Sequence, residues 1–169
     1  MVNKISLLVV FLMILNVPIF SQEPLTKNGE NSLYYKALKI YLEENEKEYS
    51  KLFPQRNFHN VLVIKNDLIT TKLPAKIGKF KVEYVDYDEL TIRAKNNAEQ
   101  KKNTQTLIAS EFQPITNDKN NIVVTISEYK VTYEESRLSL GLSDGIRIEF
   151  KYDCLVGDYV LIKFEFFGV

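Results

Sequence analysis

The chain has 169 residues, with 22 basic and 22 acidic side chains, one histidine and one cysteine, and 45% of its residues are hydrophobic. Mixed charges that balance to zero lack the basic footprint of nucleic-acid-binding proteins, so DNA and RNA are not expected partners. A single cysteine forms no intramolecular disulfide, and one histidine cannot complete a zinc site of several His and Cys ligands. The composition predicts a protein stabilised by packing, with no metal and no cofactor.

The first 21 residues have the pattern of a secretory signal peptide. Lys4 precedes an apolar stretch at 5–15, and Ser21 is a small residue directly before polar sequence. The apolar stretch is shorter than the about 20 residues that cross a bilayer. We expect cleavage after Ser21, no stable membrane insertion afterwards, and an exported protein in the periplasm or outside the cell. We expect residues 22–31 to form a flexible lead-in segment and residues 32–169 to form a single α+β domain.

Apolar side chains recur every three or four residues after Ser32, which indicates a helix with one core-facing stripe. Pro54 ends this pattern after Phe53. The stripe contains one amide, Asn45, among apolar and aromatic neighbours. Its members are Tyr35, Leu38, Leu42, Asn45, Tyr49 and Leu52.

The middle of the chain alternates between strands and a second helix. Residues 61–64 are apolar and rich in β-branched side chains, which favours a central strand. Polarity alternates at 80–84 after Gly78, which predicts another strand. The spacing of apolar residues between Asp86 or Asp88 and Ala98 predicts a helix with acidic residues at its start. A loop at 99–103 and a strand near 106–112 follow.

Three stretches of strict alternation, at 137–142, 146–154 and 160–166, predict a C-terminal antiparallel meander. Asp144-Gly145 and residues 156–158 have the composition of the two hairpin turns. The alternation places Cys154 on the dry face, where it is expected to be a small buried side chain.

A longer strand at 121–133 changes its apolar face near Ser127, which indicates a bulge or a sharp bend. The expected fold class is α+β, with a long N-terminal helix packed on a curved antiparallel sheet that ends in the meander.

Residues 141–145 match the Gly-x-Ser-x-Gly pattern of the nucleophile elbow in serine hydrolases. That elbow needs a helix after the serine, whereas an alternating strand follows Ser143. The only histidine, His59, also precedes the serine, in contrast to the order in that fold. We therefore interpret the match as a hairpin turn and assign no catalytic residue.

Two acidic clusters could in principle serve acid–base chemistry or hold calcium. The first, at 86–89, lies where a helix cap is wanted, and the second, Glu134-Glu135, lies between two strand patterns. The polar run at 117–121 lacks the spaced carboxylates of a calcium loop and predicts a turn. Each cluster therefore has a structural explanation.

The sequence leaves two hypotheses for function. The first is a non-catalytic binding or interaction module that contacts a protein partner through the solvent-exposed face of the sheet. A structural role in an envelope assembly predicts the same sequence features. Its candidate surface is Tyr129, Tyr133, Arg137 and Arg147, because tyrosine and arginine are enriched in binding hot spots. The alternative is a small-molecule or enzymatic pocket between helix and sheet, with Asn45, Tyr84 and Tyr152 as its polar groups. Oligomeric state is not predicted.

Overall fold

The computed structural model describes residues 32–54, 56–67, 73–99 and 106–168. The predicted signal peptide, the lead-in and most of the loop at 99–103 lie outside these residues. The described ranges contain two helices and eight strands. They are α1 (Leu33–Tyr49), β1 (Asn60–Ile64), β2 (Lys76–Ile77), β3 (Phe80–Val85), α2 (Tyr87–Glu99), β4 (Leu107–Phe112), β5 (Thr116–Asp118), β6 (Asn121–Glu134), β7 (Arg137–Asp153) and β8 (Asp158–Gly168).

All eight strands belong to one open sheet in the order β2-β3-β1-β4-β6-β7-β8, with β5 paired to the start of β6. β1 runs parallel to β3 and to β4, and the other pairs are antiparallel. The sheet is therefore mixed and mostly antiparallel, rather than antiparallel throughout as predicted. The physical reason is that α2 connects β3 to β4, which lets both strands run in one direction on either side of β1. The predicted three-stranded C-terminal meander is wrong in its strand count, because its first two strands form the single strand β7, which pairs antiparallel with β6 and β8.

α1 begins at the predicted cap. The Ser32 hydroxyl accepts a hydrogen bond from the main-chain N–H of Tyr35 at 3.1 Å, which satisfies a donor that the first helical turn leaves open. The helix ends at Tyr49, earlier than predicted, and hydrogen-bonded turns continue the chain to Phe53. The side chains that α1 buries are Ala37, Leu38, Tyr41, Leu42 and Asn45.

The two helices cover opposite faces of the sheet. Neighbouring residues of a strand point to opposite faces, and the adjacent residues Val63 and Ile64 of β1 pack into different clusters. Val63 belongs with the buried residues of α1, in what we call the first core. Ile64 packs with Leu90 and Ala94 of α2, in what we call the second core.

α2 begins where the acidic residues predicted the N-terminus of a helix. The Asp86 carboxylate accepts a hydrogen bond from the main-chain N–H of Glu89 at 2.8 Å, and Asp88 also lies in the first turn. A negative charge there stabilises the positive end of the helix dipole. The acidic cluster at 86–89 is therefore part of a helix cap, as predicted.

The predicted change of face in β6 is confirmed. Val124 and Ile126 lie in the first core, whereas Val131 lies in the second core with Tyr129 and Tyr133 packed against it. The register between β6 and β7 shifts between Glu128 and Tyr129, which leaves one extra residue on β7. The bulge moves the apolar side chains of β7 from one face to the other.

The predicted hairpin at Asp144-Gly145 is wrong. β7 is continuous from Arg137 to Asp153, and the turn that precedes it lies at Glu135 and Ser136, both of which have positive φ. Gly145 meets a packing requirement instead, because a Cβ there would lie 2.2 Å from the ring of Phe167.

The predicted burial of Cys154 is also wrong. β7 ends at Asp153, so Cys154 begins the turn to β8 and its side chain is exposed. Gly157 in that turn has a φ of +71°, which glycine adopts without strain. The alternating pattern ran one residue past the end of the strand.

Candidate functional site

An open cleft of about 820 Å³ lies where α1 ends, beside β1 and β4. Its volume falls within the range of about 300–1,000 Å³ that is typical of ligand pockets. Its wall combines apolar and polar side chains, and the buried polar residues lie at one end. The apolar members of the wall are Leu42, Leu52, Phe53, Pro54, Phe58, Val61, Leu62, Leu107 and Ile108.

A buried ion pair forms the polar end of the cleft. Glu128 of β6 points beneath α1 with only 1% of its side chain exposed. Arg56, in the segment after α1, donates from both of its terminal nitrogens, at 2.9 Å to Oε1 and 2.5 Å to Oε2. This two-pronged contact is the strongest geometry for a guanidinium and a carboxylate. Burial acts to lower the pKa of Arg56, but hydrogen bonds and attraction from Glu128 outweigh it and raise that pKa.

Two side chains of α1 complete the hydrogen bonds of Glu128. The Tyr41 hydroxyl donates to Oε2 at 2.7 Å, and the Asn45 amide donates to the same oxygen at 3.3 Å. Because the single Tyr41 proton is used in this way, the contact at 2.9 Å between Tyr41 and Ser110 has Ser110 as donor. Burial and the charge of Glu128 raise the pKa of Tyr41 well above its ordinary value, so its hydroxyl stays a donor. The Asn45 Oδ1 is buried and has no hydrogen-bond partner among the described residues.

A second carboxylate, Asp144, faces the same cleft. Asp144 of β7 lies directly opposite Glu128 in the antiparallel register, and both residues line the cleft. Burial and then repulsion from Glu128 raise the pKa of Asp144, against the opposing effects of Arg56 and of a 3.5 Å hydrogen bond from Tyr49. Opposed like charges destabilise a strand pair. With both carboxylates ionised, the polar end carries two negative charges and one positive charge.

β1 and β4 separate beside the cleft. They pair only at Val63–Ser110 and Ile64–Glu111. Residues 60–62 pair with β3, and residues 107–109 pair with β6, but these two stretches do not pair with each other. Residues 60–62 and 106–108 line the cleft. On that side, the main-chain N–H and C=O groups of these stretches have no partner strand among the described residues. They are therefore available to bind a ligand.

The other end of the cleft carries charges that neutralise one another. Arg93 of α2 donates to Glu83 at 2.8 Å and to Glu89 at 2.5 Å, and Lys81 lies 2.6 Å from Glu83. Lys81 is exposed, and the side chains of Glu83 and Arg93 are 33% and 36% exposed, whereas Glu128 is buried. The residues that line the cleft include as many acidic as basic side chains, and the local excess of negative charge lies at the Glu128 end.

The structure does not bring the predicted binding surface together. Tyr129 and Tyr133 pack against the second core instead of facing solvent beside the arginines, and the Tyr129 hydroxyl accepts a hydrogen bond from Gln113 at 3.3 Å. Arg147 forms an ion pair with Asp118 at 2.7 Å, and Arg137 is exposed at the start of β7. The bulge at Ser143 puts Arg137 and Arg147 on opposite faces of the sheet, and Tyr129 and Tyr133 lie on the face that α2 covers.

Of the three polar groups predicted for a pocket, only Asn45 lines the cleft. The Tyr84 hydroxyl donates to the main-chain oxygen of Pro74 at 3.1 Å, and Tyr152 is half-exposed and packs against Tyr159. Sequence reasoning missed Glu128 altogether. The available signal was an acidic residue inside an otherwise apolar strand, at the position where the apolar face changes.

The remaining chemical candidates have ordinary roles. Ser143, the centre of the Gly-x-Ser-x-Gly match, donates to the main-chain oxygen of Glu128 at 3.2 Å within the β7 bulge. His59 is exposed and lies 3.0 Å from Glu46. Among the described residues, no group of three or more His, Cys, Asp or Glu side chains is arranged to hold a metal ion. Neither described helix has both the length and the apolar character needed to cross a bilayer.

Comparisons with known proteins assign no family to this geometry. No protein-family model matches the chain, and neither curated proteins nor solved structures show a match to it. Functional inference therefore rests on the cleft itself.

Proposed function

We propose that this protein is a non-catalytic binding protein whose cleft takes a small molecule with an apolar body and a positively charged amino group. The observation that carries this proposal is the end of the cleft of about 820 Å³ at which the buried Glu128 and the half-buried Asp144 and Arg56 place two carboxylates and one guanidinium. An apolar wall with a few convergent polar groups is the usual design of a small-molecule site.

Charge supports an amino group as the polar part of the ligand. The guanidinium of Arg56 is already bound to both oxygens of Glu128, so Asp144 is the carboxylate left to attract a further cation. An ammonium group placed there would remove the repulsion between Asp144 and Glu128. Because a partly buried site screens charge weakly, that relief favours binding.

The hydrogen bonds around the cleft support a non-catalytic role. Glu128 accepts from Arg56, Tyr41 and Asn45, so it has little capacity left to take a proton from a substrate. The Ser143 hydroxyl is engaged with a main-chain oxygen. A nucleophile needs an adjacent base within hydrogen-bond reach, and Ser143 has no histidine among its hydrogen-bond partners in the described residues.

Export and sheet curvature belong to the same proposal. Lys4, the apolar stretch at 5–15 and Ser21 support passage out of the cytoplasm, with binding in the periplasm or beyond the cell. The register shifts at Glu128/Tyr129 and Glu149/Phe150 support a sheet that curves over α1, because bulges bend strands. Mass spectrometry of the protein recovered from its producing cells tests cleavage after Ser21.

Tryptamine and indole-3-propionate form a matched pair of probes, because they share an indole ring and differ in the charge of the side chain. The chain contains no tryptophan, so indole fluorescence excited beyond the tyrosine absorption band can be followed without a protein background. We expect tryptamine to bind and to shift the NMR signals of cleft residues, and indole-3-propionate to bind much more weakly. Equal behaviour of the two probes would contradict the preference for a cation, and no shift with either would contradict the site.

Asp144→Asn should weaken tryptamine binding by about tenfold, since it removes the carboxylate that faces the cation. Asp118→Asn is the matched control, because Asp118 is a half-exposed carboxylate that binds Arg147 and does not line the cleft. It should leave tryptamine binding unchanged. If both variants weaken binding equally, general electrostatic attraction explains the affinity and Asp144 has no specific role.

A further inference from the structure

We infer that the protein forms a two-fold dimer in which β8 of one copy pairs antiparallel with β8 of a second copy. β8 is the last strand in the sheet order, and β7 is its only described neighbour. On its other side, the main-chain N–H and C=O groups of β8 therefore have no partner strand among the described residues. Such an edge is a template for pairing with another chain.

The side chains of β8 are unusually apolar for an exposed edge. Leu161, Ile162, Phe164 and Phe167 are each between 37% and 48% exposed. The strand has eleven residues, which gives an edge roughly 37 Å long. Exposed apolar edges of this length favour association, because covering them removes apolar surface from water.

Charge on β8 selects a second copy of the same chain as the occupant. A two-fold axis perpendicular to the sheet places residues of the same face opposite each other. When the axis passes at Phe164, Lys163 of each copy lies opposite Glu165 of the other. Lys163 already pairs with Glu149 of β7 at 3.2 Å, and Glu165 lies opposite Arg147, whose ion pairs are with Asp118 and Glu149. The contact between copies therefore gives Glu165 an ion pair that it lacks among the described residues, and it places Lys163 between two carboxylates. Opposite charges at directly paired positions stabilise antiparallel strands.

Lys163 and Glu165 also make the two neighbouring registers of the β8 pair unfavourable. An axis at residue 163 would place two lysines opposite each other, and an axis at residue 165 would place two glutamates opposite each other. Like charges at such positions are destabilising. The register of β8 against β7 also shifts at Glu149/Phe150, which makes Ile162 an extra residue, so regular pairing about Phe164 covers residues 163–165 of each copy. Pairing about Phe164 is therefore the register that the sequence favours.

A charge-reversal experiment tests this pairing. Light scattering coupled to gel filtration should show a dimer for the purified protein. Lys163→Glu and Glu165→Lys, each alone, should weaken the dimer by about tenfold or more, because each converts two attractive contacts per dimer into repulsive ones. The double variant, with the two charges exchanged, should recover the dimer. An equimolar mixture of the two single variants should also form a heterodimer, since their charges are complementary in this register.

Controls separate loss of pairing from loss of fold. Lys151→Glu makes the same charge change on the exposed surface of β7, away from the free edge, and should leave the dimer intact. Circular dichroism should show that every variant is folded. A wild-type protein that stays monomeric overturns the inference, including the case in which another part of the chain covers β8. So does a dimer that neither single reversal weakens.

Discussion

Replacing Arg56 by methionine tests how strongly the polar end of the cleft depends on its ion pair. The change removes both hydrogen bonds to Glu128 and leaves a carboxylate that is 99% shielded from solvent without a counter-charge. Breaking one partner of a buried pair typically costs about 3–5 kcal/mol. The Arg56 side chain is 26% exposed, so we expect the lower end, about 3 kcal/mol.

Urea unfolding followed by circular dichroism at neutral pH measures this loss directly. A loss of about 3 kcal/mol corresponds to a fall in melting temperature of roughly 6–12 °C for a domain of this size. Arg93→Met is the matched control, because Arg93 also binds carboxylates, those of Glu83 and Glu89, but both of these are far more exposed than Glu128. Exposed pairs contribute about 0–1 kcal/mol, so the control should lose less than that.

A double variant identifies the cause of the loss. Arg56→Met combined with Glu128→Gln leaves no unpaired buried charge, so it should be more stable than Arg56→Met alone. If Arg56→Met costs less than about 1 kcal/mol, or if the double variant is the sum of the two single changes, the buried charge is not what Arg56 compensates.

Three further outcomes follow from the same structure. Asp144→Asn should stabilise the protein at neutral pH, because the raised pKa of Asp144 means that its ionisation costs more free energy in the folded state than in the unfolded state. Urea unfolding should show that the gain disappears as the pH falls below the ordinary aspartate pKa of about 4. A gain that does not depend on pH would contradict this cause. Gly145→Ala should lower the free energy of unfolding by about 2 kcal/mol or more, because its Cβ would lie 2.2 Å from the ring of Phe167. Gly141→Ala should be tolerated, because the nearest atom to its Cβ would be 3.9 Å away. Equal melting temperatures for the two variants would refute the difference. Cys154 should react fully with a thiol reagent in the native protein, since its side chain is exposed, and protection until unfolding would show that it is covered.

Much of the local structure could be predicted from short patterns. The cap at Ser32, the start of α2 at Asp86, the central position of β1 and the change of face in β6 all agree with the sequence. Each of these depends on residues within a few positions of one another. Periods of two and of about 3.6 residues, together with cap chemistry, are local properties that a linear sequence displays directly.

The misassigned turn at Asp144-Gly145 shows where local patterns fail. The same two residues suit a hairpin turn and a strand in which glycine makes room for an aromatic ring. Phe167 is the ring concerned, and it reaches Gly145 only because β8 pairs with β7 in this register. Glu128 was missed for a similar reason, because its partner Arg56 is 72 residues away in the chain.

The sequence by itself determined the two helices, most of the longer strands and the apolar faces that form the two cores. Tertiary structure alone decided that β1 runs parallel to its neighbours, that these strands separate beside the end of α1, and that Arg56, Glu128 and Asp144 meet there. The physical reason is that backbone propensity and periodicity act over a few residues. A cleft and its charges depend on strand register and helix packing, which join residues far apart in the chain.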